Sequence, residues 1–201
     1  MASSGSRPHA GESLHLSELR IVLLGYEDAG RSSSGNTILG REEFDTVGIT
    51  AQCVKRQEEV AGRHVTVVET PGWYGKFTVD ETSKITKEKI ELSASLCPPG
   101  PHALLLVIRV DRSFTDKLRR SVQQHLELLG ERVWSHTIVL FTCGDWLGDE
   151  PIEQHIEREG ESVQWLVEKC GNRYHVFNNK RRDDHMQVTH LMEKIEEMSL
   201  T

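Results

Sequence analysis

The sequence predicts an α/β fold in which helices cover both faces of a mostly parallel sheet. Short apolar runs bounded by glycine or proline alternate with longer segments of helical spacing, and this alternation is typical of parallel sheets built through right-handed crossovers. The length of 201 residues suits a single domain. A Gly/Ser-rich turn directly follows the first apolar run, at the carboxyl end of a strand, where such sheets bind their ligands.

Six strands and five helices are expected. The strands are predicted at residues 19–24, 53–60, 64–68, 103–110, 137–142 and 174–177, where apolar or alternating runs end at turn residues. The helices are predicted at residues 32–39, 82–96, 114–129, 152–170 (interrupted at Gly160) and 187–198. Because Ala61, Gly62 and Arg63 separate the second and third strands, these two should form a hairpin, with the second strand antiparallel at an edge of the sheet.

Composition and charge exclude several classes of protein. The net charge of -7 argues against wide non-specific binding of nucleic acid, which needs a basic face. All apolar runs are far shorter than the roughly 18 residues that suggest a membrane span. Residues 1–16 are predicted to be a flexible leader without the apolar core of a signal peptide, and residues 17–201 to be the domain. The cysteines lack metal-like spacing, so we expect reduced thiols and a cytoplasmic protein.

The turn after the first strand has the pattern of a phosphate-binding loop. It begins at Gly25 and fits GxxxxGK[ST], except that Arg31 replaces the lysine. Backbone amides of such a loop and of the following helix close on phosphate oxygens, and the Ser32 hydroxyl would bind Mg²⁺. The guanidinium of Arg31 is broader than an ammonium group, which leaves a plain surface turn as the alternative. The predicted nucleotide-binding residues of this turn are Gly25, Asp28, Ala29, Gly30, Arg31, Ser32 and Ser33.

Four blocks of sequence resemble those of one family. Residues 20–25, 32–40, 99–107 and 170–180 are similar, in this order, to blocks of the IMAP GTPases, the immune-associated nucleotide-binding proteins with an AIG-type domain. The amino-acid sequence of these blocks is especially similar to that of the fish members of the family, and the resemblance covers approximately residues 16–198. It implies a Ras-like P-loop G domain that binds GTP or GDP together with Mg²⁺.

The resemblance also places the guanine base. Asp145 follows the strand at residues 137–142 and would accept hydrogen bonds from N1 and the exocyclic N2 of guanine, a donor pair that adenine lacks. The lysine that commonly lies along the base is Cys143 here. Trp146 would cover part of the base or pack as an ordinary indole. Asn178 resembles the second base contact of the family, with a turn residue as the alternative.

Two further segments resemble switch regions. In the first, Thr50 would bind Mg²⁺ and contact the γ-phosphate only in the GTP state. In the second, residues 69–72 have the sequence Glu-Thr-Pro-Gly in place of Asp-Thr-Pro-Gly. Glu69 would hold Mg²⁺ directly or through water, and the Gly72 amide would bind the γ-phosphate. Trp73 occupies the position of the glutamine that orients water in Ras-like enzymes.

Three departures from the family pattern, at Arg31, Cys143 and Glu69, together favour slow turnover of GTP. Arg112 lies near the position of the family's arginine that acts in trans, with an exposed loop arginine as the alternative. The leading hypothesis is a GTP/GDP-binding domain that acts as a nucleotide-dependent switch or self-assembly module, pairs through its nucleotide face and hydrolyses GTP slowly. The second hypothesis is a degenerate G domain used as an interaction scaffold. A P-loop kinase or ATPase is disfavoured by Asp145 and Asn178.

Overall fold

One six-stranded sheet forms the centre of the fold in the computed structural model, which describes residues 15–200. Its strands are β1 (Glu18–Leu24), β2 (Val54–Val60), β3 (Arg63–Glu69), β4 (Ala103–Arg109), β5 (Thr137–Thr142) and β6 (Tyr174–Val176). They follow the order β2-β3-β1-β4-β5-β6, and every neighbouring pair is parallel except the antiparallel hairpin of β2 and β3. The predicted fold class, including the antiparallel edge strand, is confirmed. The predicted leader at residues 1–16 lies outside the described residues, apart from its last two positions.

The helices surround this sheet. They are α1 (Arg31–Leu39), α2 (Lys84–Leu92), α3 (Asp116–Glu127), α4 (Ile152–Glu159), α5 (Glu161–Lys169) and α6 (His185–Ser199), with 3₁₀ helices at Ser93–Leu96, Glu131–His136 and Gly144–Leu147. The segment predicted at 152–170 is two helices, because Gly160 has a φ of 95° that continues neither of them. Helix α6 begins two residues earlier than predicted, since the Asp184 side chain accepts a hydrogen bond from the Met186 amide.

The central strands are buried on both faces. Every residue of β5 is buried, as are the last four residues of β1, and consecutive burial requires cover on both sides of a sheet. Strand β2 is partly exposed along its length, as expected of an edge. Because β1, β3, β4, β5 and β6 are parallel, their carboxyl ends lie at one edge, and the loops that follow them can share one site. None of the helices within residues 15–200 has the length and apolarity needed to cross a membrane.

Two buried histidines should make the stability of the fold depend on pH. Burial lowers the pKa of both His125 and His175 to about 4. Unfolded histidine titrates near 6.5, so between about pH 6.5 and about pH 4 the unfolded chain binds more protons than the folded one. The free energy of unfolding therefore falls as the pH falls through this window. We expect a loss of about 2 kcal/mol per histidine between neutral pH and about pH 5, measured by urea unfolding.

The His125→Gln variant isolates this contribution. It should lose less stability than the wild-type chain on acidification, because glutamine keeps a hydrogen-bonding side chain but has no proton to gain. The matched change His64→Gln, at a half-buried position beside Glu59, should leave the pH dependence of the wild type in place. Equal pH dependence in the His125→Gln variant and the wild type would contradict a neutral, buried His125.

Candidate functional site

The loop between β1 and α1 is fixed at both ends and faces a cavity. The Glu27 amide donates a 2.8 Å hydrogen bond to the Trp73 carbonyl, and the Thr142 hydroxyl donates one of 2.7 Å to the Ala29 carbonyl. Gly30 adopts a left-handed backbone, with a φ of 101°, and no side chain of the described residues caps α1 there. The first amides of α1 are thus free to bind an anion, which the positive end of the helix dipole favours.

A cavity of about 380 Å³ lies over this loop. Its volume falls within the range of about 300–1,000 Å³ that is typical of small-molecule sites. Its walls also include the segment before β2 and the loops that follow β5 and β6. The predicted site residues that line it are Asp28, Ala29, Gly30, Arg31, Ser32, Ser33, Thr50 and Asp145.

The three residues predicted to bind Mg²⁺ meet at one side of the phosphate loop. The hydroxyls of Ser32 and Thr50 both donate to Oε1 of Glu69, over 2.5 and 3.0 Å. Glu69 ends β3 and is only 2% exposed. Two hydroxyls and one carboxylate form a set of hard oxygen donors, the kind that Mg²⁺ selects. These residues therefore fit the ion that the resemblance implies.

Arg31 is directed at the second switch segment. Its Nη1 donates to the Thr70 carbonyl and lies 3.9 Å from Oε1 of Glu69. The side chain is buried, and burial lowers its pKa. Its Nε has no hydrogen-bond partner within residues 15–200. A Cβ atom at Gly72 would collide with Nη2 of Arg31, so a larger residue at this position would displace the Arg31 guanidinium.

The base side of the cavity is built from the loops after β5 and β6. The Gly144 amide donates a 3.0 Å hydrogen bond to the Phe177 carbonyl and joins the two loops. Asp145 accepts a 3.0 Å hydrogen bond from Nζ of Lys180. Cys143 lines the cavity with a thiol whose pKa is raised by burial, so it is uncharged at neutral pH. Trp146 is 59% exposed and lies outside the cavity lining.

Some predicted residues lie beside the cavity. Gly25 is buried beneath the phosphate loop, where a Cβ atom would come within 3.1 Å of the Val107 carbonyl oxygen. Oδ1 of Asn178 accepts a 3.0 Å hydrogen bond from the Lys180 amide, so this side chain stabilises a turn. Gly72 and Arg112 are also outside the lining, and Arg112 is exposed. The nucleotide contacts of these four residues stay predictions.

Sequence reasoning missed several residues that line the cavity. Arg109 ends β4, donates a 3.2 Å hydrogen bond to the Asp28 carbonyl, and is held by both carboxylate oxygens of Asp111 at 2.8 and 2.7 Å. The sequence did contain a signal for Arg109, because it stands at the carboxyl end of a predicted strand, and ligands bind at that edge of a parallel sheet. The other missed lining residues are Thr46, Gly48, Asn179 and Lys180.

Trp73 is packed away from solvent. It is 2% exposed, and its ring stacks on that of His125 at a centroid distance of 4.3 Å and an interplanar angle of 2°. An indole held in this way has no acceptor with which to orient an attacking water. The glutamine-like assistance of Ras-type enzymes is therefore absent from this side chain.

The fold and site together define the class of protein. A phosphate loop at the start of a helix, hydroxyl and carboxylate oxygens beside it, and an acid after β5 are the parts of a P-loop G domain. The family follows from the sequence: the model of the AIG1 family matches residues 19–201, and the chain belongs to that family.

Relatives in animals and plants support this assignment. GTPase IMAP family member 8 of Rattus norvegicus is 30% identical over 203 residues, which cover 97% of this chain and 28% of the relative. Immune-associated nucleotide-binding protein 9 of Arabidopsis thaliana is 34% identical over 172 residues, covering 81% of this chain and 49% of the relative. The chain thus spans less than half the length of these two proteins.

Solved structures share the fold. Toc33 of Arabidopsis thaliana in complex with Mg²⁺ and GMPPNP has a TM-score of 0.73 at 15% identity, covering 92% of this chain and 85% of Toc33. A dimerization-deficient arginine-to-alanine mutant of Toc33 has a TM-score of 0.72 at 17% identity, covering 91% of this chain and 84% of the mutant. For the chloroplast translocon components Toc33 and Toc159, dimerization is important for GTPase activity.

Proposed function

We propose that the domain binds GTP and GDP with Mg²⁺, acts as a nucleotide-dependent switch or self-assembly module, and hydrolyses GTP slowly. The observation that carries the proposal is the convergence of three groups on one cavity: the open start of α1, the hydroxyls of Ser32 and Thr50, and Asp145. Both hydroxyls are bonded to Glu69, which does not itself line the cavity. Ser32, Thr50 and Glu69 would hold the ion, which when bound neutralises phosphate charge. Asp145 would select guanine.

Calorimetric titration tests nucleotide binding. Nucleotide-free protein is titrated with GTPγS, GDP and ATPγS, each in the presence of Mg²⁺. Guanine nucleotides should bind with micromolar or tighter dissociation constants, and ATPγS should give no heat of binding. No response to any of the three would overturn the proposal.

Two features of the site support the proposal of slow turnover. Trp73 is buried against His125 and supplies no group that orients water. The Arg31 guanidinium is directed at the Thr70 carbonyl, and a lysine in its place would reach the phosphates as a compact ammonium. We therefore expect GTP hydrolysis by the isolated domain to be slow and to increase when domains pair.

A degenerate G domain that serves as a scaffold is the second candidate. It is favoured by the contacts of Arg31 and Glu69, because both side chains are buried and already bonded to groups of the protein. Nucleotide binding would have to compete with these contacts. Release of phosphate above the background of a Ser32→Ala variant would exclude this candidate.

Arg112 is proposed to act on the nucleotide of a second copy. Its exposed position, outside the lining of its own cavity, suits a contact in trans. We expect the rate of GTP hydrolysis per wild-type domain to rise with protein concentration. At high concentration the rate of Arg112→Ala should stay about tenfold or more below the wild-type rate, because an arginine acting in trans stabilises transition-state charge. Phosphate release is measured over a dilution series, with Arg120→Ala, another exposed arginine, as the control. Equal turnover of Arg112→Ala and wild type at high concentration would remove the idea.

A cytoplasmic location is part of the proposal. Cys53, Cys97, Cys143 and Cys170 are free thiols, which suits a reducing compartment. Alkylation of the thiols of this chain under denaturing conditions, directly on cell lysis and without added reductant, would test it. Denaturation is needed because Cys97 and Cys170 are buried. Cysteines that resist alkylation until a reductant is added would contradict the proposed location. We also propose that residues 17–201 act as one unit.

A further inference from the structure

The base side of the cavity lacks the usual cation next to Asp145. The family resemblance implies a lysine along the base two positions before this aspartate, and here that position is Cys143, whose thiol is uncharged at neutral pH. An acid that recognises guanine has to present both carboxylate oxygens to the base edge. Without a positive neighbour, its side chain would be free to rotate away.

Lys180 supplies a cation at this place from a different loop. Its Nζ donates a 3.0 Å hydrogen bond to Oδ2 of Asp145, and Lys180, Asp145 and Cys143 line the same cavity. A carboxylate oxygen has two lone pairs, so Oδ2 can keep Lys180 while the carboxylate accepts from the base. The four-carbon stem of the lysine can cover apolar surface while the ammonium remains in water.

The backbone that carries Lys180 is anchored at several points. Oδ1 of Asn179 accepts a 2.8 Å hydrogen bond from the Thr37 hydroxyl, and its amide group donates one of 3.2 Å to the Ser34 hydroxyl, which fixes the loop to α1. The Lys180 amide donates to Oδ1 of Asn178 over 3.0 Å. An anchored backbone directs the lysine side chain towards Asp145, although the side chain itself is 80% exposed.

We propose that Lys180 is a specificity-determining residue, which holds the Asp145 carboxylate in position for guanine and takes over the role of the cation missing at Cys143. This inference rests on the proposed binding of guanine nucleotides. It makes guanine recognition in this chain depend on an ion pair between the loops after β5 and β6. Because the pair is exposed, its effect should weaken as salt concentration rises.

The test compares GDP with IDP, which lacks the exocyclic amino group of guanine. Dissociation constants are measured at low and high salt for the wild type and for Lys180→Gln, Lys180→Arg and Arg181→Gln. Arg181→Gln is the matched control, since it removes a positive charge from the next residue, which pairs with Asp183 outside the cavity.

Lys180→Gln should weaken GDP binding about fivefold at low salt and less at high salt. It should also reduce the preference for GDP over IDP, because a mobile carboxylate makes less use of the amino group. Lys180→Arg should restore both properties, and Arg181→Gln should resemble the wild type.

The outcomes separate this inference from the proposed function. If the wild-type chain does not bind GDP, the proposed function fails and the inference fails with it. If the wild type binds GDP and Lys180→Gln binds it equally well, only the inference is overturned. Tighter binding of GDP by Lys180→Gln would also overturn it, because the lysine would then compete with guanine for Asp145.

Discussion

Asp145→Asn is expected to bind GDP about 100-fold more weakly than the wild-type chain. The carboxylate accepts two charge-assisted hydrogen bonds from N1 and the exocyclic N2 of guanine in the proposed complex. The amide keeps one acceptor and presents N–H groups towards the guanine amino group, where donor meets donor. Loss of the charge-assisted bond to N2, and its replacement at N1 by a neutral hydrogen bond, should together cost about 3 kcal/mol, or roughly a factor of 100.

The same substitution should improve binding of a different base. Xanthine carries a carbonyl where guanine carries the amino group, so the asparagine amide can donate to it. We therefore expect the ratio of XDP to GDP affinity to rise by more than the loss of GDP affinity alone. Both nucleotides are measured by titration calorimetry in excess Mg²⁺.

Asp149→Asn is the matched control for this experiment. Asp149 is exposed four residues further along the chain and does not line the cavity, so its amide variant should keep the GDP and XDP affinities of the wild type. A fall in GDP affinity shared by both variants would indicate a general effect of charge. Unchanged GDP affinity in Asp145→Asn would show that another group reads the base.

The fold was predictable from the sequence because its signals are local. Apolar runs such as residues 103–110 and 137–142 end at turn residues, and glycines such as Gly160 interrupt helical segments, so element type and order follow from neighbours along the chain. The 3₁₀ helices at Glu131–His136 and Gly144–Leu147 were not predicted. For the strands and α-helices the errors are confined to element ends, and they arise where a side chain caps a helix, as Asp184 does for α6.

The site was predictable only in part because its contacts join distant segments. The phosphate loop is one continuous stretch, and its position after β1 was enough to identify it. The contact of Arg109 with the Asp28 carbonyl spans 81 positions, and that of Asn179 with Ser34 spans 145. Such pairs depend on how strands lie beside one another in the sheet, which residue patterns alone do not specify.

The blocks that carry the family resemblance also contain residues with a structural role. Asn36 is buried, and its side chain makes hydrogen bonds of 3.0, 2.9 and 2.8 Å with backbone groups of Glu43 and Phe44. It thereby fixes the start of the segment that leads to Thr50. A residue of a motif block can therefore act by holding the segment that carries the Thr50 hydroxyl, which is predicted to bind Mg²⁺.

Ser32→Ala is expected to remove most of the Mg²⁺ dependence of nucleotide binding. The Ser32 hydroxyl lies 2.5 Å from Oε1 of Glu69, at the start of α1, and is the proposed protein ligand of the ion in both nucleotide states. For the wild type, replacing Mg²⁺ with EDTA should lower the binding affinities for both GTPγS and GDP by about tenfold or more, since the ion offsets phosphate charge. For Ser32→Ala, the affinities in Mg²⁺ should approach those in EDTA.

Thr50→Ala serves as the informative partner variant. Thr50 donates to the same carboxylate oxygen over 3.0 Å, but it is proposed to engage the ion and the γ-phosphate only in the GTP state. The Thr50→Ala variant should therefore bind GTPγS more weakly than the wild type does, while its affinity for GDP stays close to the wild-type value. Comparison of Ser32→Ala with Thr50→Ala therefore separates the loss of the ion from the loss of a switch contact. Neither variant alone would distinguish these two effects.

Stability has to be measured alongside binding, because Ser32 also serves the protein itself. Removing its hydroxyl takes one hydrogen bond from Glu69, a carboxylate that is 2% exposed, and should cost about 1–2 kcal/mol of unfolding free energy without nucleotide. Ser95→Ala, at an exposed serine on the 3₁₀ helix after α2, should change neither stability nor binding. A Ser32→Ala protein that is folded and keeps the full wild-type response to Mg²⁺ would place the ion elsewhere, and the Ser32–Thr50–Glu69 cluster would then be a hydrogen-bonded brace between the phosphate loop and the two switch segments.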